Sequence, residues 1–125
     1  MRMTDSSTIP GLEGIYLEDS WVVGIVARPG VFEMTADLVL SESHPAYEPP
    51  RPGEQYCYRR GVLRFERVST LTWEGQGAAP AVDASGEEDY GSIDSLAGTD
   101  GGYLIEGDFG RVAVSSVAPT VVFIP

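Results

Sequence analysis

The stretch Tyr56–Trp73, YCYRRGVLRFERVSTLTW, decides the fold class. Successive side chains of an extended chain point to opposite faces, so Leu63 and Phe65 share one side and Arg64 and Glu66 the other. The alternation slips at Val68 and resumes at Leu71 and Trp73. One straight strand from Val62 to Trp73 would span roughly 40 Å, longer than strands of small domains usually run. The stretch is therefore expected to be a strand bent or bulged near Arg67–Thr70, the spine of a small all-β domain. Arg60-Gly61 is a candidate turn between a short strand and the long one.

Upstream, Leu12, Ile15 and Leu17 open the ordered part in a short strand or turn that ends at Glu18-Asp19-Ser20. Trp21–Ala27 is apolar on both faces and reads as a strand that is central or covered on both sides, with Gly24 marking a bulge or a close backbone approach. Arg28-Pro29-Gly30-Val31 places proline second and glycine third, the chemistry of a type II turn. Beyond it Phe32, Met34, Ala36, Leu38 and Leu40 alternate inward against Glu33, Thr35 and Asp37, which completes a hairpin. Ser41–Glu54 holds Pro45, Pro49, Pro50 and Pro52 and should run extended over the surface.

Downstream, Gly75–Gly91 is a loop, and strands are expected at Ser92–Ala97, Tyr103–Glu106, Phe109–Ser116 and Thr120–Ile124. Little or no helix is expected. The fold class is thus all-β, an antiparallel sandwich or a partly closed barrel of about seven to nine short strands. Residues 1–10 read as a flexible N-terminal tail and 11–125 as one domain. Ending on Val121-Val122-Phe123-Ile124 implies that the last strand is paired, since a bare apolar edge invites aggregation.

The formal net charge is −11, and all eight basic residues are arginine. Such a chain should repel nucleic acid and anionic membranes, and attract a basic protein or a cation. The charge is polarised along the chain. Arg59, Arg60, Arg64 and Arg67 form one cluster, while the stretch from Glu74 to Asp108, ends included, holds nine acidic residues and no basic one. The cluster has the chemistry of an anion clamp, but with acid so abundant it is better read as paired with the chain's own carboxylates, such as Glu54, Glu66 or those of Gly75–Gly91. That reading folds the acidic loop back over the arginine strand. Glu87, Glu88, Asp89 and Asp94 are the candidate partner-binding residues. One cysteine forbids an internal disulfide, and neither a signal-peptide core nor a membrane-spanning apolar run is present, so a cytoplasmic protein is expected.

No motif demands catalysis, and no cofactor is expected. Asp83, Ser85, Glu87 and Asp89 could offer oxygen ligands to calcium, with Gly86 allowing a tight turn, although the spacing is not that of an EF-hand. An acidic solvated loop anchored by Tyr90 and Ile93 is the simpler reading. His44, the only histidine, reads as solvent-exposed beside Pro45. Cys57 reads as a small buried strand residue, because a thiol nucleophile usually needs a histidine base nearby.

Three segments carry a resemblance: Leu17-Glu18-Asp19-Ser20, Gly61-Val62-Leu63-Arg64-Phe65-Glu66-Arg67-Val68, and Tyr103-Leu104-Ile105-Glu106-Gly107-Asp108-Phe109-Gly110. Their order and spacing resemble small bacterial β proteins of uncharacterised function. Some of these are similar to immunity proteins of polymorphic toxin systems, which bind and silence a toxin made by the same cell. The immunity proteins often have a histidine before the aspartate, where this chain has Glu18. The resemblance spans roughly Leu12–Ile124 and carries over no catalytic residue. It implies an immunity-like, non-enzymatic interaction module; the charge balance adds that its acidic half meets a basic partner, and a monomer or homodimer is expected. The alternative, from a different class, is a small-molecule-binding barrel with a pocket lined by Trp21, Trp73, Tyr56, Tyr58 and Tyr103.

Overall fold

A computed structural model of the chain describes residues 4–5, 9, 11–75, 81–82 and 88–124. These residues form strands and turns, with no helix among them. The strands are β1 (Thr4–Asp5), β2 (Ile15–Arg28), β3 (Val31–Leu40), β4 (Cys57–Glu66), β5 (Thr70–Glu74), β6 (Ala81–Val82), β7 (Glu88–Asp89), β8 (Ile93–Thr99), β9 (Gly102–Gly107), β10 (Gly110–Ser115) and β11 (Thr120–Phe123). No helix of the described residues is long and apolar enough to cross a membrane.

Nine of the strands build two antiparallel sheets, β1-β8-β9-β10-β5 and β11-β4-β3-β2, with β6 and β7 as a separate two-stranded ladder. The two sheets do not close into a barrel; they face one another as a sandwich. Phe32 and Phe65 of the four-stranded sheet meet Trp73 and Tyr103 of the other, with ring centroids 6.2 Å apart for Phe32–Trp73 and 5.6 Å for Phe65–Tyr103. Leu96, Ile105 and Val112, cross-strand neighbours on β8, β9 and β10, bury their side chains against this layer. Burying these large apolar side chains supplies the main drive for the two sheets to pack, at about 1.5–3 kcal/mol each.

The hairpin β2–β3 forms as its turn chemistry demands. Gly30 has φ +80°, the left-handed conformation that the third position of a type II turn requires. β3 shows the expected alternation, with Phe32, Met34, Ala36, Leu38 and Leu40 buried.

Tyr56–Trp73 is not one bent strand. β4 ends at Glu66 and β5 begins at Thr70 in the opposite sheet, after a corner at Arg67, whose φ is +54°. The slipped alternation is the mark of this crossing: Phe65 and Trp73 both point into the core, but from opposite sides. The corner is held by the Val68 N–H, which donates to the Gly30 carbonyl at 3.0 Å, and the Ser69 N–H, which donates to that of Ser115 at 2.9 Å. Arg60-Gly61 is not a turn either, because β4 runs straight through it. Gly61 is glycine for a packing reason: a Cβ there would come within 3.1 Å of both Leu38 Cδ1 and the Val122 carbonyl.

β2 departs from its expected reading in two ways. It continues through Glu18-Asp19-Ser20, leaving the ladder with β3 between Tyr16 and Trp21, and it shifts register again between Val22 and Gly24. It is also not covered on both sides. β2 is an edge strand, and Trp21 and Val26 are about half exposed on the outer face. Beside Trp21 it is stitched to the second sheet: the Val22 N–H donates to the Gly91 carbonyl at 2.9 Å, and the Tyr90 N–H to that of Val22 at 2.8 Å.

Candidate functional site

The outer face of the four-stranded sheet gathers the arginines. Register places Arg64 of β4 opposite Glu33 of β3, and Arg60 opposite Asp37. Arg64 Nε donates to Glu33 Oε2 at 2.7 Å, and Arg28 Nη2 to Glu33 Oε1 at 2.8 Å. Arg60 grips Asp37 with two parallel hydrogen bonds, at 2.9 and 3.1 Å. Such fork-to-carboxylate pairing is the geometry arginine is built for.

Arg59 has the opposite parity. It points beneath the Pro-rich connection and pairs with Glu48 at 2.6 Å. Arg64 also approaches Glu66, at 3.8 Å. Arg67 sits apart at the exposed corner.

Arg59, Arg60 and Arg64 are therefore engaged by the chain's own acids, as the sequence implied, and they do not converge as an anion clamp. Of the expected partners, Glu66 is met. Among the described residues the others come from β3 and the connection, because strand register puts Glu33 and Asp37 directly opposite, while most of Gly75–Gly91 lies outside the described residues.

The acidic half contrasts with this. Asp94 and Asp100 are exposed, and with Glu106 and Asp108 they have no ion-pair partner among the described residues. Asp108 Oδ2 instead accepts the Ser92 N–H at 3.2 Å. Arg111 stands between Glu106 and Glu74 in strand register, without a salt bridge among the described residues. Glu88 and Asp89 pair through their backbone with Val82 and Ala81. Asp83, Ser85 and Glu87 lie outside the described residues, so the calcium constellation does too. Among the described residues no three His, Cys, Asp or Glu side chains are grouped to hold a metal.

His44 is not the exposed residue the sequence implied. It is half-buried, its Nδ1 accepts the Ala46 N–H at 3.0 Å, and its ring meets Phe123 edge-on at 5.5 Å. The connection folds into successive turns at Ser41–Tyr47 that press His44 and Ala46 against the end of the sandwich. Cys57 is buried, and the Glu48 N–H points at its Sγ at 3.5 Å.

Between this connection and the sheet lies an open hollow of about 490 Å³, lined by Tyr16, Tyr47, Tyr56, Ser41, Glu42 and Gln55. A second, of about 420 Å³, lies beside Phe123, Ile124 and the Arg59–Glu48 pair. Trp73 and Tyr103 pack against the core, and Trp21 stands on the outer face, so only Tyr56 of the expected aromatic lining reaches the first hollow. Tyr58 meets Tyr56 ring to ring at 6.2 Å. Sequence reasoning did not single out Tyr16, Glu33 or Asp37. Their placement follows from pairing across strands, for which a single chain carries no local signal.

No family model matches the chain. No curated protein and no solved structure matches it either.

Proposed function

We propose that the protein is a non-enzymatic interaction module whose acidic half binds a basic protein partner. The observation that carries this is the uneven use of charge. The arginines on and beside the four-stranded sheet are engaged internally by Glu33, Asp37, Glu48 and Glu66. The net charge of −11 is therefore left largely to carboxylates such as Asp94, Asp100, Glu106 and Asp108. A field of one sign steers a complementary partner and penalises wrong ones. The resemblance to immunity proteins gives that partner a class: a basic toxin made by the same cell, encoded beside this protein's gene. The single, buried thiol fits a reducing, cytoplasmic setting.

The test is co-expression with the neighbouring gene product, followed by affinity measurement as salt rises. Binding should weaken steeply with salt, and the triple variant Asp94→Asn, Asp100→Asn, Glu106→Gln should lose about tenfold in affinity. A complex indifferent to both changes would rule out the electrostatic reading. The runner-up is a small polar ligand in the hollow of Tyr16, Tyr47 and Tyr56, favoured by its ring of tyrosines with Ser41, Glu42 and Gln55. Small-molecule titrations that stay flat with the parent protein, or that Tyr56→Ala leaves unchanged, would exclude it.

A further inference from the structure

We propose that β11 is a self-association edge, through which two copies of the chain pair antiparallel about a two-fold axis at Val122. β11 is the outermost strand of the four-stranded sheet. It pairs with β4 in the register Thr120↔Arg64 and Val122↔Val62, and the Ile124 N–H donates to the Arg60 carbonyl at 2.9 Å. In an antiparallel ladder hydrogen-bonded pairs alternate with non-bonded ones, so Thr120, Val122 and Ile124 turn their backbone groups toward β4. Val121 and Phe123 turn theirs outward, and no described residue meets them.

This outward set is complementary to itself. With two copies antiparallel about Val122, Val121 exchanges both of its hydrogen bonds with Phe123 of the second copy, and Phe123 does the same with that copy's Val121. Every outward group in the strand is then satisfied, and the contact closes on itself as a two-fold interface must. Val122 meets its own counterpart, and Ile124 meets Thr120.

The side chains agree with this occupant. Val122 is 53% and Ile124 46% exposed on the outer face, and nothing from Thr120 to Ile124 is charged. The neighbouring arginines, Arg60 and Arg64, are held by Asp37 and Glu33, so the seam brings no lone charge against its image. Edge strands are normally guarded by charge, bulges or brevity. β1 has two residues, β2 has two register shifts and its Trp21–Val22 segment is capped by residues 90–92, and β5 ends on Glu74. β11 is also short, a strand of four residues lying between Pro119 and Pro125, but it carries no charge and no register shift, and among the described residues nothing caps it.

The proposal is read by a cross-link. In the stated register Val122 is a non-hydrogen-bonded pair with itself, at a Cα separation of about 4.5 Å that a disulfide spans. Thr120 would lie roughly 13 Å from its own counterpart, four residues along the strand. Val122→Cys should therefore oxidise to a covalent dimer and Thr120→Cys should not; Cys57, being buried, stays in place in both. Sedimentation should show a dimer growing with concentration. Val122→Glu should raise its dissociation constant at least about tenfold, with an unchanged circular dichroism spectrum. Added salt should strengthen the dimer, since two copies at −11 repel each other, whereas it weakens binding to a basic partner. A chain that stays monomeric at millimolar concentration, or a Val122→Cys variant that cross-links no faster than Thr120→Cys, overturns the proposal and leaves this edge to an extended segment of some other chain.

Discussion

The hydroxyl of Ser20 accepts the Val39 N–H at 3.1 Å and donates to the Tyr16 carbonyl at 2.8 Å. Between Tyr16 and Trp21 the backbone of β2 swings away from β3, and at that gap one fully buried side chain does what the ladder cannot. An N–H left without an acceptor in the interior costs its full desolvation energy.

Ser20→Ala should therefore destabilise the fold by about 1–3 kcal/mol, the cost of orphaning the Val39 N–H. Chemical denaturation should show a lower midpoint with an unchanged slope. The exposed Ser43→Ala serves as a control and should stay within about 0.5 kcal/mol of the parent. Equal midpoints for the two variants would mean that water replaces the hydroxyl.

Glu33 and Glu48 both bind arginine, and they should differ sharply on removal. The Glu33 side chain is only 13% exposed and accepts from both Arg28 and Arg64, while that of Glu48 is 63% exposed with Arg59 as its partner. Glu33→Ala should cost about 1–2 kcal/mol, because two charged donors lose their acceptor near the sheet surface. Glu48→Ala should cost at most about 0.5 kcal/mol, the range of solvent-exposed pairs. Repeating both unfolding curves in high salt should shrink the gap between them.

Arg67 holds the corner between the sheets at a φ of +54°, where an L side chain crowds its own backbone. It is exposed and makes no ion pair among the described residues, so substitutions there report mainly on the backbone. Arg67→Gly should be neutral or stabilising by up to about 1 kcal/mol, which raises the melting temperature by about 3–5 °C in a domain of this size. Arg67→Val should lower stability by about 1–2 kcal/mol, since a β-branched residue tolerates this conformation worst. If glycine proved the more damaging of the two, the corner would owe its form to the arginine side chain.

What could be read along the chain was what alternation and turn chemistry encode locally. Phe32 to Leu40 show which face of a strand is buried, Pro29-Gly30 names its turn, and the glycine clusters separate β8, β9 and β10. An antiparallel all-β domain follows from these without any contact being known. Even the corner at Arg67 left a trace, as a slip in period, although a slip cannot distinguish a bend within one sheet from a passage into another.

Pairing between distant segments was decided only by the tertiary structure. Tyr56–Trp73, which looked like a single spine, belongs to two sheets, and two of its arginines, Arg64 and Arg60, are paired with the carboxylates that strand register sets opposite them, Glu33 and Asp37. The same holds for Ser20 beneath Val39 and for the edge at Val121 and Phe123. The physical reason is that burial is a property each residue carries into the fold, whereas register depends on bulges and corners elsewhere, and moving it by one residue turns every side chain to the other face.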